Sequence, residues 1–277
     1  MIPEIACPMR PTPEPVIALH CSGAGAAQWR RLGDALATKY ELIAPEHYGC
    51  ESVGPWTGGH AFTLADEAAR TIAFIDGTDR KVHLVGHSYG GGVALHVAHE
   101  RPERIASLTL YEPSAFHLLK QLGAQGAAAL AEILAIADKI REAVVCGDNR
   151  AAAAAFVDYW SGQGAWEALR PEFQDALICW APKAPLDFAA LVEEPMLGSA
   201  YTRLRFPTLV IRGEHTPPPT RLIADSLPSL LPAARLTVVA GAGHMGPLTH
   251  SAEVNALIVR HVVKTKGRAS LGGRAAA

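Results

Sequence analysis

The sequence predicts an α/β fold: a mostly parallel sheet of about six strands, helices on both faces, and a helical segment inserted between the fourth and fifth strands. Three observations lead there. Several short runs are almost wholly apolar and lack period-two alternation, which means burial on both faces, as in a parallel sheet. Helical patterns separate most of these runs, as crossovers between parallel strands require. One stretch of about 85 residues breaks the alternation and is too long for an ordinary loop.

In chain order, "VIALH" at 16–20 is the first strand, and "QWRRLGDALATKY" follows it as a helix. "ELIAPE" at 41–46 is the second strand. "TLADEAARTIAFID" is the next helix, with Thr63 as a candidate N-cap and Asp66 and Glu67 in its first turns, where acidic groups suit the helix dipole. "KVHLVGH" at 81–87 is the third strand, expected to end at Val85, and Pro102 stops the helix "GGGVALHVAHERP" after it. "ASLTLYE" at 106–112, "TLVIRG" at 208–213 and "RLTVVAG" at 235–241 complete the strands. "TRLIADSLPSLL" and "AEVNALIVRHVV" are the late helices, and the tail "KTKGRASLGGRAAA" is expected to fray.

Residues 115–200 hold "AAALAEILAIADKIREAVV", "RAAAAAFVDYWSGQGAWEAL" and "PEFQDALICWAP", all helical, with no convincing strand. The division expected is a discontinuous core, 1–114 and 201–277, and a helical lid at 115–200. The insertion starts at the C-terminal end of a strand, where ligands bind in open α/β folds. A second helical layer with no gating role is the alternative.

The formal charge is −2 with no basic stripe, so a nucleic-acid partner is not expected. The five cysteines, Cys7, Cys21, Cys50, Cys146 and Cys179, are odd in number and form no CxxC pair. Reduced thiols in a cytoplasm fit better than a disulfide framework or a zinc site. The segment "MIPEIACPMRPTPEP" has no apolar h-region, and no apolar run reaches membrane-spanning length, so neither a secretory signal nor a membrane partner is expected. A homodimer is compatible with the sequence.

The sharpest signal is "HLVGHSYGGGVALHVA". Gly86-His87-Ser88-Tyr89-Gly90 is a G-x-S-x-G elbow in its required context of strand, sharp turn and helix. The strained turn leaves no room for side chains two places either side of Ser88, and glycines stand there. The Ser88 hydroxyl is then presented at a helix N-terminus, where the N–H of Tyr89 can bind a developing oxyanion. A serine nucleophile needs a base, and histidine is the usual one. His244 lies between a strand and the last helix, flanked by Gly241, Gly243 and Gly246, which let its loop fold toward the strand ends. His87 is expected to face away from Ser88, and His250 to start the last helix.

These segments resemble the α/β-hydrolase family over about residues 16 to 264. "GHSYGG" is similar to its nucleophile motif, "LHCSGAGAAQW" to its oxyanion loop and "GAGHMGPLTHSAEVN" to its histidine loop. The resemblance implies His244 as base and the Ser22 N–H as second oxyanion donor. Two features depart from it. The family opens with an antiparallel strand pair, but only 15 residues, five of them proline, precede "VIALH", so the pair is expected to be missing or reduced. Cys21 stands where the family has glycine. It is expected to be a small packed residue beside the pocket, with a role as extra nucleophile the lesser alternative.

The acid is the open question. In the family it most often follows the strand matched by "TLVIRG", as Gly-Glu-x-Asp, but here that stretch reads Gly213-Glu214-His215-Thr216. Threonine cannot carry the charge that matches an imidazolium. Glu112, at the end of the preceding strand, is the first candidate, since some relatives place their acid there. Glu214 is the alternative, and a site without an acid the third. Asp187 and Asp225 fall inside helical stretches and are set aside.

The reading is a serine hydrolase of carboxylesterase type. It would cleave an ester-type bond of a small, largely apolar substrate through an acyl-enzyme, with no cofactor or metal. The insertion would supply Phe116, Leu118, Leu119, Phe156, Tyr159 and Trp160 to the pocket, with Trp56 facing it from the loop after the second strand. C–C bond hydrolases, lactonases, perhydrolases and a non-catalytic ligand receptor are the alternatives.

Overall fold

A computed structural model describes residues 12–272 of the chain. Strands β1 (Glu14–Leu19), β2 (Tyr40–Ile43), β3 (Val82–His87), β4 (Ile105–Tyr111), β5 (Thr208–Gly213) and β6 (Ala234–Val239) form one sheet in the order β2-β1-β3-β4-β5-β6. All neighbouring pairs are parallel. The chain winds outward from β1 to β2, then returns to build on the other side from β3, so a switch point lies between β1 and β3. Crevices for ligands open at the C-terminal ends of the strands beside such a point.

The core helices before the insertion are α1 (Arg30–Ala35), α2 (Leu64–Gly77) and α3 (Tyr89–Glu100). The insertion holds α4 (Gly123–Val145), α5 (Asn149–Ser161), α6 (Pro171–Trp180), α7 (Ala184–Val192) and α8 (Gly198–Tyr201), with no strand among them. After it come α9 (Pro218–Leu230), α10 (Gly246–Thr249) and α11 (Ser251–Gly272).

The continuous apolar strands divide their residues between two cores. Val16 and Ala18 of β1 pack with Trp29, Leu32, Val254 and Ile258 on the face covered by α1 and α11. Ile17 and Leu19 point the other way, into a larger cluster with Leu64, Val93, Ala94 and Ile223 from α2, α3 and α9. That second cluster runs on into the insertion through Phe116, Trp160, Trp180 and Phe188. The insertion is therefore seated on the α2–α3 face by the same apolar burial that holds the sheet. The N-cap expected at Thr63 is present as a capping box: its hydroxyl accepts from the Asp66 N–H, and the Asp66 carboxylate accepts from the Thr63 N–H.

Several boundaries differ from the sequence reading. Strand β3 runs to His87, not Val85, because Gly86 and His87 pair with Leu110 and Tyr111. Strand β2 stops at Ile43, two residues before Pro45, which has no N–H to give a ladder. Helix α1 ends at Ala35, because the chain must turn extended at Leu36 to enter β2 beside Glu14. Helix α5 ends at Ser161, where Gly162 takes φ +101°, and does not run on to 169. The tail expected to fray is helical through Gly272. The expected loss of an N-terminal strand pair falls on residues 1–11, outside the described residues, and so does Cys7. Cys21, Cys50, Cys146 and Cys179 are free thiols. Among the described residues no helix is long and apolar enough to cross a membrane.

Candidate active site

Strand β3 hands the chain to α3 through Ser88, whose backbone sits at φ 54°, ψ −118°. A side chain at positive φ is strained, and here the surroundings enforce it. The Ser88 N–H donates to the Tyr111 carbonyl, and the Ser88 carbonyl accepts from the N–H groups of Gly91, Gly92 and Ser114. A Cβ on Gly86 would lie 2.4 Å from the Gly90 carbonyl oxygen, and one on Gly90 would lie 2.4 Å from the carbonyl oxygens of Leu19 and His20. Only glycine fits at either place.

His244 comes from the loop between β6 and α10. Three bonds hold that loop against the strand ends. Tyr111 donates its hydroxyl to the Gly243 carbonyl (2.8 Å), the His87 Nε2–H donates to the His244 carbonyl (2.9 Å), and the Gly241 N–H donates to Glu214 Oε2 (2.9 Å). His87 thus faces away from Ser88, as expected, and supports the loop that carries His244. Its Nδ1 meets Gln28 Nε2 at 3.1 Å, and Gln28 Oε1 accepts from the Cys21 N–H, which ties the loop after β1 to the same frame. Burial pushes His87 well below the ordinary histidine range and His20 down to about 3, so both rings are neutral supports.

Glu112 follows β4 and is, with Ser88, one of two non-glycine residues at positive φ among the described residues (φ 42°). That turn carries its carboxylate inward, where it is fully buried. Glu112 Oε2 accepts from His244 Nδ1 at 2.7 Å, and His244 Nε2 lies 2.9 Å from Ser88 Oγ. The other oxygen, Oε1, accepts from the Gly213 N–H (2.7 Å) and lies 2.6 Å from the Thr216 hydroxyl. Thr216 Oγ1 is also 2.5 Å from the Gly213 carbonyl, but with one hydrogen to give, the charged carboxylate is the stronger acceptor. The geometry fixes a tautomer: Nδ1–H toward Glu112, bare Nε2 toward the Ser88 hydroxyl. Trp160 of α5 stacks on the His244 ring, centroids 4.2 Å apart and 27° between planes, and keeps water from its face.

The structure therefore brings Ser88, His244 and Glu112 into one hydrogen-bonded series and leaves Glu214 out of it, on the outer side of the loop. Ser22 and Tyr89 line the same cavity as Ser88. Neither of their N–H groups has an acceptor among the described residues. Phe116, Phe156 and Trp160 line that cavity too. Other expectations are corrected. Leu118 and Leu119 are buried in the core, and Tyr159 donates to Glu132 on α4. Trp56 packs against Tyr48, His60 and Phe62 and does not line the cavity. Cys21 is buried outside it, its thiol pushed up by burial to about 12, so it is no nucleophile.

Two residues near Ser88 escaped the sequence reading. Ser114 Oγ lies 3.2 Å from Ser88 Oγ. Its place two residues beyond Glu112, on the strand end beside the elbow, was the available signal. Asp187 was set aside because it lies in a helix, yet α7 brings it into the cavity. Its Oδ2 accepts from the Ser22 hydroxyl at 2.7 Å, and Oδ1 pairs with Lys183. Lys183 also reaches Glu67 Oε2 at 3.0 Å, and Glu67 accepts from the Tyr89 hydroxyl at 2.7 Å. Burial works to raise the Glu67 pKa, but the His47 bond and the charges of His47 and Lys183 outweigh it and hold the carboxylate low. Burial raises Asp187, and Lys183 offsets this only in part.

A family model described as the alpha/beta hydrolase family matches residues 16–257, and the chain belongs to that family. Curated relatives match over part of the chain. The cis-3-alkyl-4-alkyloxetan-2-one decarboxylase of Shewanella oneidensis is 33% identical over 108 residues, 38% of this chain and 34% of that protein. The lipase LipV of Mycobacterium tuberculosis is 32% identical over 103 residues, 37% of this chain and 38% of that protein. The matched span is thus little more than a third of these relatives' length. Among solved structures, the enol-lactonase from Burkholderia xenovorans superposes with a TM-score of 0.70 at 15% identity, covering 91% of this chain and 92% of that one. At that identity the likeness shows the fold alone.

Proposed function

We propose that the chain is a serine hydrolase that cleaves an ester-type bond of a small, largely apolar substrate through an acyl-enzyme. The observation that carries this reading is the series Glu112–His244–Ser88, with contacts of 2.7 and 2.9 Å ending on a strained serine. Ser88 Oγ attacks the carbonyl carbon and its proton passes to His244 Nε2. Glu112 holds the ring in the productive tautomer and stabilises the imidazolium. The N–H groups of Ser22 and Tyr89 receive the oxyanion. His244 returns its proton to the leaving group, then takes one from water, which releases the acid and restores Ser88. No step calls on a metal or cofactor.

The aromatic lining of Phe116, Phe156, Trp160 and Phe188 favours an apolar acyl group. Residues 115–200 act as the lid, since Trp160 covers His244 and must shift for a substrate to enter. The relative named as a lipase is consistent with an ester bond.

The test is hydrolysis of p-nitrophenyl acetate and butyrate by wild type and Ser88→Ala, with fluorophosphonate labelling of each. Turnover and labelling in wild type and neither in Ser88→Ala are expected. No turnover of either ester together with no labelling of wild type would refute the reading.

A further inference from the structure

We propose that Asp187 determines specificity by accepting a hydrogen bond from a substrate hydroxyl close to the scissile carbonyl, so that the preferred acyl group is a hydroxyacyl and not a plain alkyl chain. The proposal rests on the serine-hydrolase reading and deepens it by naming the acyl group.

Placement comes first. Beyond Ser22, Tyr89 and Ser114 at the strand ends, the wall around Ser88 is apolar, with Phe116, Phe188 and Leu191 among its members, and Asp187 is the one carboxylate in it. Burying a charge in such a wall is costly unless it is paired and bonded. Proximity comes second. Asp187 Oδ2 is one hydrogen bond, 2.7 Å, from the Ser22 hydroxyl, and the N–H of that same residue is the oxyanion donor. An acyl-chain hydroxyl two or three bonds from the carbonyl carbon is the substrate group nearest such a neighbour.

Lys183 is one cation between two carboxylates, Glu67 and Asp187. Glu67 is well supplied, by Lys183, the Tyr89 hydroxyl, the Tyr48 N–H and His47. Asp187 receives Ser22 and Lys183. An ionised carboxylate can accept about four hydrogen bonds, so Asp187 has capacity for a substrate donor. Its raised pKa is in keeping with a carboxyl short of donors. The same negative excess disfavours acyl groups that carry a second carboxylate. A purely structural Asp187, fastening the insertion to Ser22, would leave relative rates among acyl groups unchanged.

The experiment compares p-nitrophenyl esters of butyrate, of each enantiomer of 3-hydroxybutyrate and of 3-methoxybutyrate, on wild type, Asp187→Asn and Asp187→Ala. In wild type, kcat/KM for one hydroxy enantiomer should exceed that for butyrate about tenfold, the size of one hydrogen bond to a charged acceptor. The methoxy ester, which has no hydrogen to give, should show no advantage. In both variants the hydroxy-to-butyrate ratio should fall toward one, whatever happens to the absolute rates. Butyrate turnover with no hydroxyl preference in wild type overturns this proposal alone and needs no variant to fold. A preference that survives in both variants also overturns it. No turnover of any ester and no fluorophosphonate labelling overturns the hydrolase reading and this proposal with it.

Discussion

Replacing Glu112 by glutamine should cost about four orders of magnitude in kcat, and the direction of the new amide explains why. Glu112 Oε1 lies 2.7 Å from the Gly213 N–H, and Oε2 lies 2.7 Å from His244 Nδ1. A backbone N–H can only donate, so the oxygen of the amide must take the Gly213 side. The NH2 group is then turned toward His244 Nδ1 and can be satisfied only if Nδ1 is the bare nitrogen. That moves the ring proton to Nε2, the atom that must accept from Ser88. The wrong tautomer and the missing charge together correspond to a loss of about 10⁴ in kcat where a triad acid becomes an amide. Glutamine keeps the volume and the Gly213 bond, so stability should change little. Steady-state hydrolysis of p-nitrophenyl butyrate reads the effect, with a urea midpoint as control for folding. Glu214→Gln is the matched comparison: its partner is the Gly241 N–H, which an amide oxygen also accepts, so kcat should stay within a few-fold. If Glu112→Gln keeps wild-type kcat within tenfold, or Glu214→Gln loses a factor of about 10² or more, the carboxylate has been assigned to the wrong residue.

Thr216→Val removes the hydroxyl 2.6 Å from Glu112 Oε1 and keeps the shape; kcat should drop about tenfold, and no change would mean the hydroxyl bonds the Gly213 carbonyl instead. Gly90→Ala drives a Cβ to 2.4 Å from the carbonyl oxygens of Leu19 and His20, so the urea midpoint should fall by the equivalent of about 3 kcal/mol or more, and a soluble variant of wild-type stability would contradict the close approach. Burial lowers His20 to about 3, His117 and His261 to about 4, and His87 well below its ordinary value. These rings are neutral in the fold and protonate on unfolding, so the stability they support is present above pH 6.5 and is lost as pH falls toward the folded values. At pH 5.5 each costs roughly 1 kcal/mol against pH 8 and the four together several kcal/mol, and equal urea midpoints at the two pH values would refute this.

The sheet was legible because parallel strands buried on both faces have few alternatives as short apolar runs. All six runs became strands, and the helical gap became α4 to α8. The ends were less legible, because they are set by partners far along the chain: β3 runs to His87 only because β4 is there to pair with it. At the site, Ser88 and His244 could be placed from glycines whose necessity is steric and local. Glu112 could be offered only as one option, since its inward aim depends on a left-handed backbone at 112 that no neighbouring residue announces. Asp187 was hidden for a related reason. A helical pattern gives the face of a residue but not what the helix is packed against, and α7 faces the cavity only because the insertion folds back over Ser88. Trp56 failed in the opposite sense: an aromatic near the right loop found nearer aromatic partners.

The missing aspartate changes meaning in this light. The loop after β5 still serves the acid site, but with donors in place of the carboxylate: the Gly213 N–H and the Thr216 hydroxyl converge on Glu112 Oε1. The charge sits on the neighbouring strand end and the groups that hold it sit where the charge would otherwise be. An aspartate at 216 would place a second carboxylate within hydrogen-bonding distance of Glu112 in a fully buried site, where one of the two would have to take up a proton. With the acid at 112, then, position 216 must hold a neutral donor. Threonine there is not a vacancy in the family pattern but the complement of a carboxylate one strand over. The strained backbones at Ser88 and Glu112 are consistent with the same logic. Among the described residues the two non-glycine residues at positive φ are the two ends of the series through His244, each turned inward from adjoining strands that are locked by main-chain bonds.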